Sequence, residues 1–187
     1  DDVQVDGSVL NGLNVLIIDD NEYNRIVARD TLLAKADLTV QSAVSGPEGI
    51  ALLGKRQYDV VLMDVQMPGM NGFEATRLIR SSTGADYRDV PIIGLTASVL
   101  RTDLDKCIEV GMNAYVPKPF KREELLNALA KFYKNENGEA PVRATEVPVR
   151  TATAEAKTQV TDLKFLEDFC GGNREQMQKY VNIYLKV

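Results

Sequence analysis

Val60-Val61-Leu62-Met63-Asp64-Val65-Gln66-Met67-Pro68-Gly69-Met70-Asn71-Gly72 is the stretch that decides the fold of this chain. An apolar run leads to Asp64, and a segment rich in Pro and Gly follows it. A short continuous apolar run closed by turn residues reads as a buried strand. Asp64 then stands at that strand's C-terminal edge, where open α/β sheets hold their ligands. A second run, Val15-Leu16-Ile17-Ile18, ends in the same way at Asp19-Asp20. Three carboxylates meeting at one sheet edge repel each other unless a cation joins them, so the arrangement asks for a hard divalent metal.

Outward from these two runs, strand and helix patterns alternate. Strands are expected over 14–19, 39–43, 60–64, 91–95 and 114–116. The runs Val-Leu-Ile-Ile, Val-Val-Leu-Met and Ile-Ile-Gly-Leu are continuous, as in strands covered on both faces. Helix signals fill the intervals. Ser45-x-x-Glu48 forms a capping box with Pro47 in the first turn, and Asn71-x-x-Glu74 has the related form. The first helix is expected to bury Ile26 and Leu33, with Tyr23 and Ala34 beside them. The fourth helix should end at Gly111, a suitable C′ residue. The fifth presents Leu125, Leu126, Leu129 and Phe132. Five βα units with right-handed crossovers give a flavodoxin-like, doubly wound α/β fold with five parallel strands in the order 2-1-3-4-5.

Composition bounds the rest. The chain has 187 residues, enough for one ordinary domain and an appendage. An apolar content of 44% supplies a real core, and a net charge of −5 gives no reason to expect nucleic acid as a partner. No apolar run approaches the roughly 18 residues needed to cross a bilayer. Neither a signal-peptide pattern nor an initial Met is present, so the chain reads as a piece of a longer polypeptide. The two cysteines, Cys107 and Cys170, match neither a disulfide framework nor a metal spacing, and a reducing compartment is the default. A cytoplasmic location is expected, with no membrane segment in this fragment and a membrane-anchored parent compatible with it.

The expected organisation is a leader over 1–12, a globular unit over 13–135, a linker over 136–159 and a helical appendage over 160–187. The linker is rich in Ala, Thr, Val, Pro and Glu and has no apolar period. As a flexible coil it spans about 25 Å. In the appendage, Gly171-Gly172 separates a face of Leu163, Leu166 and Phe169 from a stripe of Met177, Tyr180, Val181 and Tyr184. That stripe requires cover, from the globular unit or from a second copy of the chain.

The residues at the sheet edge permit specific chemistry. Asp19, Asp20 and Asp64 bring three negative charges when ionised. Magnesium returns two, and Lys118, after the last strand in Tyr115-Val116-Pro117-Lys118-Pro119-Phe120, returns one. Such a site is near neutral and ready for a phosphoryl group. Magnesium takes an octahedron of oxygens and keeps several waters. Thr96, at the end of the fourth strand, carries a hydroxyl able to donate to a phosphoryl oxygen. In-line transfer needs a nucleophile, charge neutralisation and equatorial donors. Asp64, the metal with Lys118, and Thr96 answer to these.

This set resembles the receiver domain of two-component response regulators. It comprises Asp19-Asp20, the segment from Asp64 to Gly72, Leu95-Thr96-Ala97 and Lys118-Pro119-Phe120, and it covers about 13–133. Each piece alone is weak; the ordered set, each at a strand end, is specific. The resemblance implies that Asp64 is the phosphoacceptor. It also implies that Asp19, Asp20 and Asp64 hold Mg2+ with the Gln66 backbone carbonyl, and that Thr96 and Lys118 contact the phosphoryl group. Tyr115 matches the family's rotating aromatic, so Thr96 and Tyr115 form its switch. Lys118-Pro119 matches a bond that the family usually holds in cis.

The flanking segments look most like the receivers of hybrid sensor histidine kinases, and residues 161–173 loosely resemble the opening of a histidine phosphotransfer domain. The implied partner is a histidine kinase or a histidine phosphotransfer protein. The chain contains no histidine, so its phosphodonor is not among these residues. No kinase catalytic domain is legible either. Any catalysis is the receiver's own phosphorylation and dephosphorylation.

Other classes fit less well. A magnesium-dependent aspartyl-phosphate phosphatase would carry a second Asp two residues after its nucleophile, where Gln66 stands. A flavodoxin-like cofactor binder needs a phosphate-cradling loop after the first strand, and Asp19-Asp20-Asn21-Glu22 would repel phosphate. A receiver fold serving only as a docking module has no use for the acidic set and Lys118.

Overall fold

Five strands make one parallel sheet: β1 (Asn14–Ile18), β2 (Thr39–Ala43), β3 (Val60–Asp64), β4 (Ile92–Thr96) and β5 (Ala114–Pro117). Their order is β2-β1-β3-β4-β5, as expected from the sequence. The computed structural model describes residues 7–83 and 85–132. The linker over 136–159, the helical appendage with its Met177–Tyr184 stripe, and Cys170 lie outside the described residues, as does the opening of the leader. A 3-10 turn at Gly7–Leu10 precedes β1, and Leu10 is fully buried, ahead of the Leu13 at which the apolar pattern begins.

The connecting helices are α1 (Glu22–Leu33), α2 (Gly46–Leu53), α3 (Gly72–Ser81), α4 (Arg101–Glu109) and α5 (Arg122–Ala130). Every residue of β3 and β4 is buried, which is why those strands are apolar without alternation. Leu16, Ile18, Val61, Met63 and Ile92 share one core cluster with Ile79 of α3 and the buried thiol of Cys107. Leu125, Leu126, Leu129 and Phe132 are buried as expected. Gly111, at φ 101°, closes α4 in a conformation that residues with a Cβ rarely adopt. Among the described residues no helix is long and apolar enough to cross a membrane.

Helix α1 corrects the sequence reading. It buries Val27, Ala28, Thr31 and Leu32, whereas Leu33 is 48% exposed and Ala34 is also exposed. Ile26 and Tyr23 are only partly buried. The face is turned because Thr31 belongs to it. Its hydroxyl donates to the Val27 carbonyl at 2.7 Å, so a nominally polar residue enters the core with its hydrogen bond made. Strand ends also move by one residue at β1, β4 and β5. β1 stops at Ile18 because the Asp19 carboxylate turns back to accept the Asn21 amide at 2.9 Å. β4 starts at Ile92 and runs through Thr96. Pro91 joins the ladder only through its carbonyl, which accepts from Val61 N at 2.8 Å.

The caps follow the sequence, with one difference. At Asn71 and Glu74 both reciprocal bonds are made, at 2.9 and 3.0 Å. Ser45 accepts from Glu48 N, but the Glu48 carboxylate reaches one residue further back and accepts from Val44 N at 2.8 Å.

The sheet edge opposite the acidic residues is tied by Arg80, at the end of α3. Its guanidinium donates to the carbonyls of Gly111, Arg88 and Val90 and to Asn113 Oδ1, at 2.6 to 2.9 Å. Asn113 Oδ1 also accepts from Ile92 N at 2.9 Å. One side chain thus joins α3, the start of β4 and the turn that follows α4.

Candidate functional site

Parallel pairing in register brings the C-terminal ends of four strands to one edge. Ile18 lies beside Met63, Asp64 beside Leu95, and Thr96 beside Pro117. Residues far apart in the chain therefore meet: Asp19 and Asp20 after β1, Asp64 at the end of β3, Thr96 at the end of β4 and Lys118 after β5. The Lys118 amide donates to the Thr96 carbonyl at 2.6 Å, which fixes the departure of the chain from β5. The Lys118-Pro119 peptide is cis.

Each of Asp19, Asp20 and Asp64 offers a carboxylate oxygen within 4.8 Å of the others. Asp19 is fully buried, Asp64 is 5% exposed and Asp20 is open to solvent. Lys118 Nζ lies 2.8 Å from Asp19 Oδ2 and 3.0 Å from Asp64 Oδ1. Burial pushes the Asp64 carboxyl above the ordinary carboxylate value. The Lys118 ammonium opposes that rise, and the Asp19 charge adds to it.

The surroundings of Asp19 were not legible in the sequence. Its Oδ1 accepts from Asn21 N at 2.9 Å and from Asn24 Nδ2 at 3.2 Å. Arg25 donates to its carbonyl at 2.7 Å. Asn24 and Arg25 both lie in the opening turns of α1, and their contact with Asp19 depends on how that helix leaves the Asn21 cap. Gln66 donates its amide to Asp64 Oδ1 at 3.2 Å while its side chain is exposed.

Gly72 explains the last residue of the decisive stretch. A Cβ there would lie 2.2 Å from the Asp64 carbonyl oxygen and 2.9 Å from Val65 Cα. Only hydrogen lets α3 begin against the strand end that carries Asp64. Its amide donates to the Val65 carbonyl at 3.0 Å.

Thr96 is buried, and its hydroxyl is engaged with the Ser98 backbone. Tyr115 is partly buried and packs against the core cluster. Beside Thr96 lies a cleft of about 520 Å3, bordered by Gln66, Phe73, Ser98, Asp103 and Lys106. The Lys106 ammonium stands 4.7 Å from the centre of the Phe73 ring.

The acidic set fits a hard divalent cation. All of its side-chain donors are oxygens, one carboxylate faces solvent, and Lys118 already supplies a positive charge between the two buried ones.

Comparison with known proteins points the same way. The response regulator receiver domain family matches residues 15–130. Probable histidine kinase 5 of Oryza sativa subsp. japonica is 40% identical over 144 residues, which is 67% of this chain. Histidine kinase 2 of Arabidopsis thaliana is 35% identical over 147 residues, or 68% of this chain. This chain spans 12% of the length of each of these two relatives. Among solved structures, the receiver domain of sensor histidine kinase PA1611 from Pseudomonas aeruginosa PAO1 is 35% identical, with a TM-score of 0.58. The match covers 65% of this chain and 97% of that one, which was solved with a magnesium ion coordinated in the active site cleft. Chemotaxis protein CheY4 of Vibrio cholerae is 33% identical, with a TM-score of 0.58 over 63% of this chain and 96% of that one.

Proposed function

This chain belongs to the response regulator receiver domain family, and on that premise we propose that it accepts a phosphoryl group on Asp64 from a phosphohistidine. The observation that carries this reading is the bridge made by Lys118 between Asp19 and Asp64, at 2.8 and 3.0 Å, in a buried acidic cluster at the sheet edge. A purely structural Asp at the end of β3 has no need of a second buried carboxylate and a shared ammonium.

Asp64 is the nucleophile. One of its oxygens attacks phosphorus, the bond from phosphorus to the donor's imidazole nitrogen breaks, and that nitrogen keeps the electron pair. Lys118 stays beside the carboxylate and meets the negative charge that arrives with the phosphoryl group. Thr96 donates its hydroxyl proton to a phosphoryl oxygen, and Tyr115 fills the space that Thr96 leaves. Asp19, Asp20, Asp64 and the Gln66 carbonyl hold Mg2+. When bound, the metal supplies charge neutralisation for the transferring group. The donor sits on a histidine kinase or a histidine phosphotransfer protein, since this sequence contains no histidine. The parent is a hybrid histidine kinase in which residues 13–135 are the receiver, 136–159 a linker and 160–187 the start of a phosphotransfer-like segment.

Acetyl phosphate with magnesium tests the chemistry. Intact mass should rise by one phosphoryl group, placed on Asp64 by peptide mapping, and Asp64→Asn should remain unlabelled. Equal labelling of the variant would refute the assignment. A chain that takes no label, yet still binds a kinase, would be a docking module.

A further inference from the structure

The hydroxyl of Thr96 donates to the Ser98 carbonyl at 3.2 Å and accepts from the Ser98 amide at 3.1 Å. A hydroxyl carries one proton. Thr96 therefore has to release Ser98 before it can donate to an oxygen on Asp64. Ser98 is itself held. Its Oγ donates to Asp103 Oδ2 and accepts from Leu100 N at 3.3 Å. Asp103 lies in the first turn of α4, a helix whose N-cap, Leu100, offers no side-chain hydrogen bond. Ser98 and Asp103 supply what the cap lacks: an acceptor for one amide, and a negative charge near the helix N-terminus.

Little else secures this loop. Val99 and Leu100 are 39% and 65% exposed, so apolar packing contributes little there. Thr96, Ser98 and Asp103 also border the cleft shared with Gln66, Phe73 and Lys106, so this side of the loop faces open space and not the core. The bond from Ser98 to Asp103 is charge-assisted, the stronger class of hydrogen bond. It is the restraint on which the position of the loop turns.

We propose that Ser98 and Asp103 are positioning residues that latch Thr96 to the β4–α4 loop, and that release of this latch limits the rate of phosphoryl transfer to Asp64. The inference rests on Asp64 being the acceptor. It adds two residues outside the acidic set, and it assigns the resting state of Thr96 to a hydrogen-bond chain that ends on α4.

The test is the rate of labelling by acetyl phosphate at fixed magnesium. Ser98→Ala and Asp103→Ala should each raise that rate about ten- to a hundredfold, the scale of one hydrogen bond to a charged group. Asp103→Asn keeps an acceptor and should return the rate toward that of the unchanged chain. In a Thr96→Ala background, Ser98→Ala should have no further effect, because no hydroxyl remains to be released. A merely structural role would not produce that dependence on Thr96. Amide exchange at residues 100–104, read without phosphate, should quicken in both alanine variants. Unchanged rates in both, or an equal increase without Thr96, would overturn the latch while labelling of the unchanged chain upheld Asp64 as acceptor. Failure of the unchanged chain to label would remove the acceptor assignment, and the latch's part in transfer with it.

Discussion

The Lys118 ammonium stands 3.0 Å from an Asp64 oxygen and is shared with Asp19 at 2.8 Å. The two carboxylates are therefore not equivalent. Asp19 has its own set of donors in Lys118, Asn21 N and Asn24 Nδ2. Asp64 has only part of Lys118 and the Gln66 amide, and burial raises its pKa. The repulsion expected among the three carboxylates therefore falls chiefly on Asp64.

At neutral pH without metal, Asp64→Asn should stabilise the domain, because an ionised carboxylate disfavoured by burial is gone. Asp19→Ala should do the opposite, lowering stability by roughly 2–4 kcal/mol, because buried donors lose their acceptor. Urea unfolding of both variants in a chelator checks the signs. Destabilisation by both would mean that Asp64 is as well satisfied as Asp19.

The pH dependence has a defined sign. The Asp64 pKa is raised in the folded state, so below the ordinary carboxylate value both states bind its proton and its contribution is fully present. As pH rises through the raised folded value, the unfolded chain has already lost that proton, and metal-free stability falls. The difference in stability between the unchanged chain and Asp64→Asn should therefore grow with pH across that window and then level off. Magnesium affinity should rise over the same window, since the metal needs the ionised carboxylate. A flat difference would place the Asp64 pKa at its ordinary value.

Magnesium should stabilise the folded state by mass action, about 1.4 kcal/mol when its concentration is tenfold above Kd. Asp20 is the exposed member of the cluster. Asp20→Ala should weaken binding at least about tenfold, the scale of one lost charge-assisted contact, with little change in metal-free stability. Calorimetric titration with the metal alone, paired with melting curves, separates the two effects.

Gly72→Ala should cost more than its size suggests, roughly 2–4 kcal/mol, because the new methyl group meets the Asp64 carbonyl and Val65 Cα and the backbone has to shift. The labelling rate at Asp64 should fall as well, since the strand end and the start of α3 move together. Full labelling in a destabilised variant would show that the site tolerates the displacement.

Arg80→Met should destabilise the domain by roughly 2–4 kcal/mol, leaving three carbonyls and Asn113 without their shared donor. Lysine should rescue little, since one ammonium does not reproduce the spread of the guanidinium. Chemical denaturation reads the loss. A small effect of Arg80→Met would mean that water replaces these bonds.

The sequence by itself determined the layout of this protein. Continuous apolar runs ending in Asp19 and Asp64 define central strands with acidic ends. Asn71 with Glu74 marks the start of α3, and Gly111 the end of α4. From those signals came the parallel sheet, its strand order and the acidic residues that its edge gathers, because period, capping and turn chemistry are local and written in adjacent residues. What only the tertiary structure decided depends on contacts between distant elements. The buried face of α1 includes Thr31, which enters the core by bonding its own helix. Asn24 and Arg25 gain their contact with Asp19 from the angle at which α1 leaves its cap. Lys118 chooses two partners, Asp19 and Asp64, through strand register. The hydroxyl of Thr96 is engaged by Ser98 because the loop after β4 folds back on it. Side-chain direction at a shared edge follows from how packed elements fit together, and no local pattern encodes it.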